Sequence, residues 1–311
     1  MNAHTWIDRD LYPFRPHHLD TADGRMHYVD EGAGPVVLPV HGTPTWSFLF
    51  RGLISELSRD HRVIAPDHLG FGLSDKPADV PYRPEDHAAR LSRFIERLGL
   101  EDITLVVHDF GGPIGLSYAV ERPANVRALA IMNTWMWSLE GTTAARAGRF
   151  FSTPVGRVLY TRLNFSPRVM MPAAFADRTA LTRQIHRHYL RPFGGRADRM
   201  AAWAFARALV ASGEWYERLW QRRDRLAEKP TLLLWGMKDP GFGPAFLARW
   251  TEGLPAAHVM RCPDAGHFVP EEVDPSVLAS AIRAHIAESP AHVSAESWVP
   301  NVRDETTTSV S

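Results

Sequence analysis

The residues in this sequence best suited to chemistry stand where an apolar run meets a pair of glycines. Residues 105–108 read as a buried strand, Asp109 follows directly, and Gly111 and Gly112 open a helical stretch. This strand–turn–helix layout is typical of a nucleophile elbow, a sharp turn that lifts one side chain above a parallel sheet. Because a carboxylate is already ionised at neutral pH, it attacks carbon without a base and forms an ester that water must then cleave. Asp109 is therefore the predicted nucleophile.

Two further polar residues follow candidate strands later in the chain. Asp239 comes after the apolar run at residues 231–235, and His267 lies in a loop after the run at residues 258–262. The order nucleophile, acid, histidine is that of a catalytic triad on an open α/β sheet, whose strand ends form the site. We expect Asp239 to hold His267 in one tautomer and His267 to deprotonate the water that cleaves the ester. Each residue alone would more often be a turn or loop residue, so the prediction rests on their joint order.

A tight turn, His-Gly-Thr-Pro, follows the apolar run at residues 36–40. It can aim the amide of Thr43 at the site, beside the amide of Phe110. Two such donors would form an oxyanion hole for the ester-cleaving step. His41 in this turn and His108 beside the nucleophile are predicted to be structural.

Short apolar runs alternate with helical patterns through most of the chain. Strands that are apolar on both faces and separated by helices indicate a parallel sheet covered on both sides. The strand candidates are residues 26–29, 36–40, 62–65, 103–108, 128–133, 231–235 and 258–262, and the helical stretches include residues 46–57, 84–98 and 112–121.

The alternation stops between residues 135 and 227, which contain many aromatic residues, arginines and alanines but no strand pattern. We interpret this segment as a helical cap inserted between two parts of one α/β core, residues 1–134 and 228–288. Residues 289–311 are polar and are predicted to form a disordered tail.

Composition excludes several function classes. The chain has 311 residues, and its 35 Lys and Arg balance 35 Asp and Glu without a basic block, so nucleic acid is not an expected partner. Cys262 is the only cysteine and is predicted to be a core residue, so a reducing compartment fits. Because no apolar leader or span of about 20 residues is apparent, we predict a cytoplasmic protein with no membrane partner. No metal-ligand spacing appears, no cofactor is predicted, and the oligomeric state is not readable.

Seven stretches together resemble one known family. They are residues 24–32, 41–51, 65–77, 105–112, 133–137, 236–239 and 264–267, and the likeness extends over residues 11–287. On these motifs the chain resembles the α/β-hydrolase superfamily and, within it, the haloalkane dehalogenases. It is most similar to their third subfamily, which is close to the β-lactone decarboxylases. The resemblance implies an α/β-hydrolase fold with a mostly parallel eight-stranded sheet, flanking helices and an inserted helical cap.

The resemblance also implies a reaction. Haloalkanes would be hydrolysed to alcohols through an alkyl ester of Asp109, cleaved by water that His267 activates. The partners would then be a small apolar substrate and water. We expect an apolar pocket between the sheet and the cap, lined by Trp46, Phe48 and Val269 among others.

Two positions depart from the family's pattern for holding the departing halide. The family usually has a Trp directly after the nucleophile, together with an Asn in the His-Gly-x-Pro turn or a second Trp from the cap. Here the first two positions are Phe110 and Thr43. Phenylalanine has no N–H to donate, and a threonine hydroxyl has one hydrogen and a short reach. Trp137 or Trp135 is the candidate substitute donor, although both also suit packing at a hinge of the cap.

Other functions fit the same triad. A β-lactone decarboxylase would use Asp109 to open a strained ring and needs no halide site, which makes Phe110 easier to explain. An epoxide hydrolase needs cap tyrosines to protonate an alkoxide, and Tyr160, Tyr189 and Tyr216 are available. A serine-type esterase is disfavoured because the elbow has no serine. A ligand-binding protein would have no use for the whole triad, and an Asp109→Asn variant separates it from a catalyst.

Overall fold

Eight strands form a single sheet within residues 5–288, the part of the chain that this computed structural model describes. The strands are β1 (His17–Thr21), β2 (Gly24–Glu31), β3 (Val36–Val40), β4 (Arg62–Pro66), β5 (Ile103–His108), β6 (Val126–Met132), β7 (Thr231–Gly236) and β8 (His258–Cys262). Their order across the sheet is β1-β2-β4-β3-β5-β6-β7-β8. The pairs β1–β2 and β2–β4 are antiparallel, and the other neighbours are parallel. The predicted α/β-hydrolase sheet is confirmed, whereas the predicted disordered tail at residues 289–311 lies outside the described residues.

Strand β1 is the one that the apolar runs did not predict. Its sequence His-His-Leu-Asp-Thr alternates between half-buried and exposed positions, because β1 lies at the edge of the sheet with a single neighbour. The central strand β5 is instead buried at all 6 positions, as expected of a parallel strand covered on both faces.

Helices flank the sheet and also fill the segment between β6 and β7. They are α1 (Arg51–Leu57), α2 (Pro84–Arg97), α3 (Gly111–Glu121), α4 (Thr143–Phe151), α5 (Pro154–Thr161), α6 (Met171–Ala174), α7 (Arg183–Leu190), α8 (Met200–Ala211), α9 (Gly213–Gln221), α10 (Pro244–Gly253), α11 (Val269–Glu272) and α12 (Pro275–Glu288).

Each face of the sheet has its own apolar core. Along β5, Leu105 and Val107 belong to one core and Val106 to the other, because successive residues of a strand point to opposite faces. The first core includes the buried residues of α2 and α3, and the second includes those of α1 and α12. The carboxyl ends of the parallel strands are left to form the site between these two layers.

The chain between β6 and β7, residues 133–230, contains helices α4–α9 and short turns but no strand. We refer to this segment as the insertion; the predicted cap, residues 135–227, lies within it. Proline begins a helix here rather than interrupting one. Pro154 is the first residue of α5, and the hydroxyl of Thr153 before it accepts a hydrogen bond from the Gly156 amide at 3.2 Å. Across residues 5–288, no helix is long and apolar enough to cross a membrane.

Candidate active site

Asp109 follows β5 in a left-handed backbone conformation. Its φ is +52°, a value that residues other than glycine rarely adopt outside constrained sites. A Cβ at Gly111 would lie 1.9 Å from the carbonyl oxygen of Val40, and one at Gly112 would lie 1.8 Å from Oγ1 of Thr134. Both glycines are therefore required by the close packing of this turn against β3 and the chain after β6. Strand, sharp turn and helix occur at the positions where the sequence predicts an elbow.

The two carboxylate oxygens of Asp109 have different neighbours. Oδ1 accepts a hydrogen bond from the Thr43 amide at 2.7 Å, whereas Oδ2 lies 3.6 Å from Nε2 of His267. The backbone of Gly42 approaches so closely that a Cβ there would lie 2.1 Å from Oδ1 and 2.6 Å from the Phe110 nitrogen. The Thr43 amide thus donates to this carboxylate, and the Phe110 nitrogen lies close to the same Gly42 backbone, as expected if the two amides form an oxyanion hole.

His267 lies between two carboxylates. Its Nδ1 is 2.8 Å from Oδ2 of Asp239, and its Nε2 faces Asp109. The second oxygen of Asp239 accepts hydrogen bonds from the amides of Gly241 at 2.7 Å and Phe242 at 3.0 Å. Asp109, Asp239 and His267 are 5%, 7% and 7% exposed, so these charges interact in a largely water-free environment. The structure therefore brings the three predicted catalytic residues together.

The pKa values of His267 and Asp239 are set by the charges that these residues and Asp109 place next to one another. Burial alone would lower the pKa of His267, but the carboxylates of Asp239 and Asp109 outweigh it and raise the pKa to about 10. Burial would likewise raise the pKa of Asp239, but the charge and hydrogen bond of His267 hold it below the usual value. While Asp109 is ionised, His267 therefore carries a proton at neutral pH.

Asn133 holds the acid in place, a role that the sequence did not predict. It follows β6, and its Nδ2 donates to Oδ2 of Asp239 at 2.9 Å and to the Gly236 carbonyl at 3.1 Å. Its Oδ1 accepts from the Gly236 amide at 2.8 Å. The side chain thus ties the end of β6 to the turn that carries Asp239. The sequence signal that could have identified this role is a polar residue, Asn133, directly after an apolar strand.

His108 supports the loop of the catalytic histidine. It is fully buried, and its Nε2 donates to the main-chain carbonyl of His267 at 2.8 Å. Burial, followed by the charge of His267, lowers the pKa of His108 to about 4, so this ring is neutral. His108 is therefore a buried positioning residue with a defined hydrogen bond.

Comparison with known proteins identifies the scaffold. A family model described as the alpha/beta hydrolase fold matches residues 35–273. This chain belongs to the α/β-hydrolase family.

Its relatives narrow the family further. This α/β-hydrolase is 36% identical over 277 residues to "Haloalkane dehalogenase 2" of Mycobacterium tuberculosis, covering 88% of this chain and 96% of the relative. It is 34% identical over 278 residues to a cis-3-alkyl-4-alkyloxetan-2-one decarboxylase of Shewanella oneidensis, covering 86% and 87% of the two chains. Among solved structures, a putative ancestral haloalkane dehalogenase superposes with a TM-score of 0.79 at 31% identity, covering 88% of this chain and 98% of that one. The chain is thus a haloalkane dehalogenase-like hydrolase.

The two candidate halide-binding tryptophans lie in different surroundings. The ring of Trp135 stands edge-on to Phe110 with centroids 4.8 Å apart, and its Nε1 is buried without a hydrogen-bond partner among residues 5–288. Trp137 instead packs against Trp220 and Trp250, with the guanidinium of Arg249 over its ring at 4.8 Å. Of the two indoles, the structure places that of Trp135 against the residue after Asp109.

The predicted pocket residues are all buried but belong to a different part of the packing from Phe110. The Nε1 of Trp46 donates to the carbonyl of His188 in the insertion at 3.1 Å, and Phe48 stacks on the His188 ring at 4.5 Å. Val269 is fully buried at the start of α11, immediately after Phe268. Trp46 and Phe48 therefore lie where the core meets the insertion, and Val269 belongs to the same apolar core as these two residues.

The three predicted tyrosines of the insertion have different environments. The Tyr189 hydroxyl donates to Glu271, and the Tyr160 hydroxyl donates to the sulfur of Met170 at 3.1 Å. Tyr216 is fully buried with its ring against Trp135, centroids 5.6 Å apart. As for metals, the described part of the chain has no group of three or more His, Cys, Asp or Glu that could hold an ion.

Proposed function

We propose that this hydrolase converts haloalkanes to alcohols and halide, with Asp109 as the nucleophile. The observation that carries the proposal is the pairing of Asp109 Oδ2 with His267 Nε2 at 3.6 Å, while Oδ1 is held by an amide. Relatives named haloalkane dehalogenases at 36% identity support the substrate class. We further propose a cytoplasmic enzyme that acts on a small apolar substrate, with the insertion as its cap.

In the first step, Oδ2 of Asp109 attacks the carbon that bears the halogen. The carbon–halogen bond breaks, the halide leaves with the bonding electrons, and an alkyl ester of Asp109 remains. The Thr43 amide favours this geometry because its hydrogen bond to Oδ1 leaves Oδ2 as the attacking oxygen.

In the second step, His267 takes a proton from water and the hydroxide attacks the carboxyl carbon of the Asp109 ester. The bond from this carbon to the alkoxy oxygen then breaks, the alcohol leaves with a proton returned by His267, and the Asp109 carboxylate is restored. The amides of Thr43 and Phe110 would hold the negative oxygen that develops. Ester formation itself prepares this base, because it removes the charge of Asp109, one of the groups that raise the pKa of His267. The remaining partner, Asp239, keeps Nδ1 protonated and leaves Nε2 to accept the proton.

The departing halide needs side-chain hydrogen-bond donors, and the Phe110 side chain has no N–H to supply one. We propose the Nε1–H of Trp135 and the hydroxyl of Thr43, since both are buried and neither has a hydrogen-bond partner among the described residues. Buried donors of this kind are normally satisfied, and a bound anion would satisfy them. Trp137, the alternative from the sequence, has its ring engaged with Trp220 and Arg249.

The test is halide release from a panel of bromo- and chloroalkanes. Wild type is expected to turn over, Asp109→Asn to release no halide, and His267→Gln to release about one halide per enzyme and stop, because only the second step needs the base. Asp264→Asn is the matched control, since Asp264 is an exposed acid beside Lys238. Release that persists in Asp109→Asn, or its absence from folded wild type, would exclude the proposal.

A second candidate is ring opening of β-lactones. It is favoured by Phe110, whose side chain has no N–H to donate to a halide, and by the 34% identical relatives named oxetanone decarboxylases. Adding a cis-3,4-dialkyl β-lactone to the haloalkane panel decides between dehalogenation and ring opening. If the enzyme turns over the lactone but no bromoalkane, and Asp109→Asn abolishes that turnover, ring opening replaces the first proposal. Epoxide hydrolysis has less support, because the hydroxyls of Tyr160 and Tyr189 donate to Met170 and Glu271. Of the three tyrosines, only Tyr216 has a buried hydroxyl without a hydrogen-bond partner among residues 5–288.

A further inference from the structure

Exposed apolar side chains are concentrated on one part of the insertion. Six large hydrophobic residues are exposed among residues 5–288, and five of them lie between residues 150 and 169. These five are Phe150, Val155, Val158, Leu163 and Val169, with exposures of 48%, 59%, 45%, 57% and 49%. We propose that they form a docking surface for an anionic lipid bilayer, the α5 face.

Helix α5 presents its apolar side chains outward. Val155 and Val158 are one turn apart on the exposed side, and Leu163 is the second residue after the helix. The opposite side carries the buried Gly156 and Tyr160. Apolar residues three or four positions apart, as Val155 and Val158 are, normally form the stripe that a helix turns towards its protein core. Here that stripe faces solvent, so the protein itself leaves it uncovered.

The neighbouring segments extend this stripe. A Cβ at Gly156 would lie 2.3 Å from the Phe151 Cα, so α5 packs directly on the end of α4, where Phe150 is exposed. On the other side, the Tyr160 hydroxyl donates to the sulfur of Met170, the residue next to Val169. The five apolar residues therefore belong to one packed unit rather than to separate loops.

The positive charge of the segment around the α5 face indicates a negatively charged partner. Residues 141–176 contain five arginines and no Asp or Glu. Arg157, Arg162 and Arg168 are exposed, and none of them has an ion-pair partner within residues 5–288. Apolar side chains flanked by unpaired cations are typical of surfaces that lie on anionic lipid headgroups. A second copy of this chain fits less well, because two such faces would repel each other.

The sequence predicted no membrane partner because no apolar span of about 20 residues is apparent in it. Docking on the surface of a bilayer needs no helix that crosses it, and no helix within residues 5–288 could do so.

The test is co-sedimentation with vesicles of phosphatidylcholine alone and of phosphatidylcholine mixed with phosphatidylglycerol. Wild type is expected to bind the mixed vesicles and to lose binding at about 1 M salt, where charges are screened within about 3 Å. The double variants Val155→Ser/Val158→Ser and Arg162→Gln/Arg168→Gln are each expected to weaken binding about tenfold or more. The matched controls are Val277→Ser and Arg97→Gln, which change an exposed valine and an exposed arginine outside the insertion.

Each other outcome overturns the proposal. Failure of wild type to bind the mixed vesicles, or binding that the two α5-face variants leave unchanged, would show that this face does not dock on lipid. Equal binding to neutral vesicles would exclude selection of anionic headgroups. Self-association that only the Val155→Ser/Val158→Ser variant abolishes, without vesicle binding, would assign the face to a second copy. Thermal melting and turnover of a water-soluble substrate verify that every variant is folded, because none of these positions belongs to the proposed site.

Discussion

At the scale of single residues, the two tryptophans after β6 permit a direct comparison. Trp135→Phe removes the unpartnered Nε1–H beside Phe110 while keeping a ring in place, so we expect the rate of halide release to fall by about 10²–10³-fold. Trp137→Phe is the matched control, since its ring packs against Trp220 and Trp250. The measurement is single-turnover halide release from a bromoalkane and a chloroalkane, with the larger loss expected for chloride. Equal losses in the two variants would exclude Trp135 as the specific donor.

His267 makes a second residue-scale prediction, which concerns pH. Its pKa is about 10 in the folded protein against an ordinary value of about 6.5, so the folded state binds more protons than the unfolded state between these values. The stabilisation is complete below about pH 6.5 and is lost as the pH rises through about 10. We therefore expect the free energy of unfolding, measured by urea denaturation, to fall over this range. His267→Gln should remove that part of the slope; an unchanged slope would contradict the assignment.

At the scale of elements, the elbow depends on how closely α3 approaches β3. A Cβ at Gly111 would lie 1.9 Å from the carbonyl oxygen of Val40, and the main chain cannot move away without displacing Asp109. We expect Gly111→Ala to cost about 3 kcal/mol or more in the free energy of unfolding, and to abolish turnover in any protein that folds. Gly194→Ala is the control, because its nearest neighbour would be at an ordinary 3.6 Å. Urea unfolding that is equal for the two variants would refute this account.

The sequence predicted strands β2 to β8 from their apolar residues and failed where the environment is set by distant parts of the chain. β5 has an uninterrupted apolar pattern, whereas β1 is half exposed, so its polar composition gave no strand signal. The role of Asn133 was equally hidden. It depends on the register that pairs Met132 with Leu234, which brings the end of β6 beside the turn of Asp239. Chain order alone sufficed for the nucleophile, acid and histidine, because β5, β7 and β8 lie in the same half of the sheet, with only β6 between β5 and β7.

At the scale of the whole molecule, the insertion is tied to the core through a buried ionic cluster. Arg51 of α1 pairs with Glu271 of α11, and the hydroxyl of Tyr189 in α7 donates to the same carboxylate. The side chains of Arg51 and Glu271 are only 16% and 2% exposed, so water does not replace a lost partner. The ring of His188 in α7 stacks on Phe48, and the guanidinium of Arg51 lies over the same Phe48 ring. The insertion therefore contacts the core through the Arg51–Glu271 ion pair and, next to it, through the stacking of His188 on Phe48.

This contact predicts how the molecule unfolds. Glu271→Gln leaves the Arg51 charge buried without its partner, so we expect the free energy of unfolding to fall by about 3–5 kcal/mol. Tyr189→Phe removes only the hydrogen bond from the insertion and leaves the ion pair intact, and should cost about 1–2 kcal/mol. Urea unfolding followed by tryptophan fluorescence and far-UV circular dichroism measures both. If the contact couples the two parts, Tyr189→Phe should separate the two signals into distinct transitions, because the insertion then unfolds before the sheet. Coincident transitions with no loss of stability in either variant would mean that packing alone holds the insertion in place.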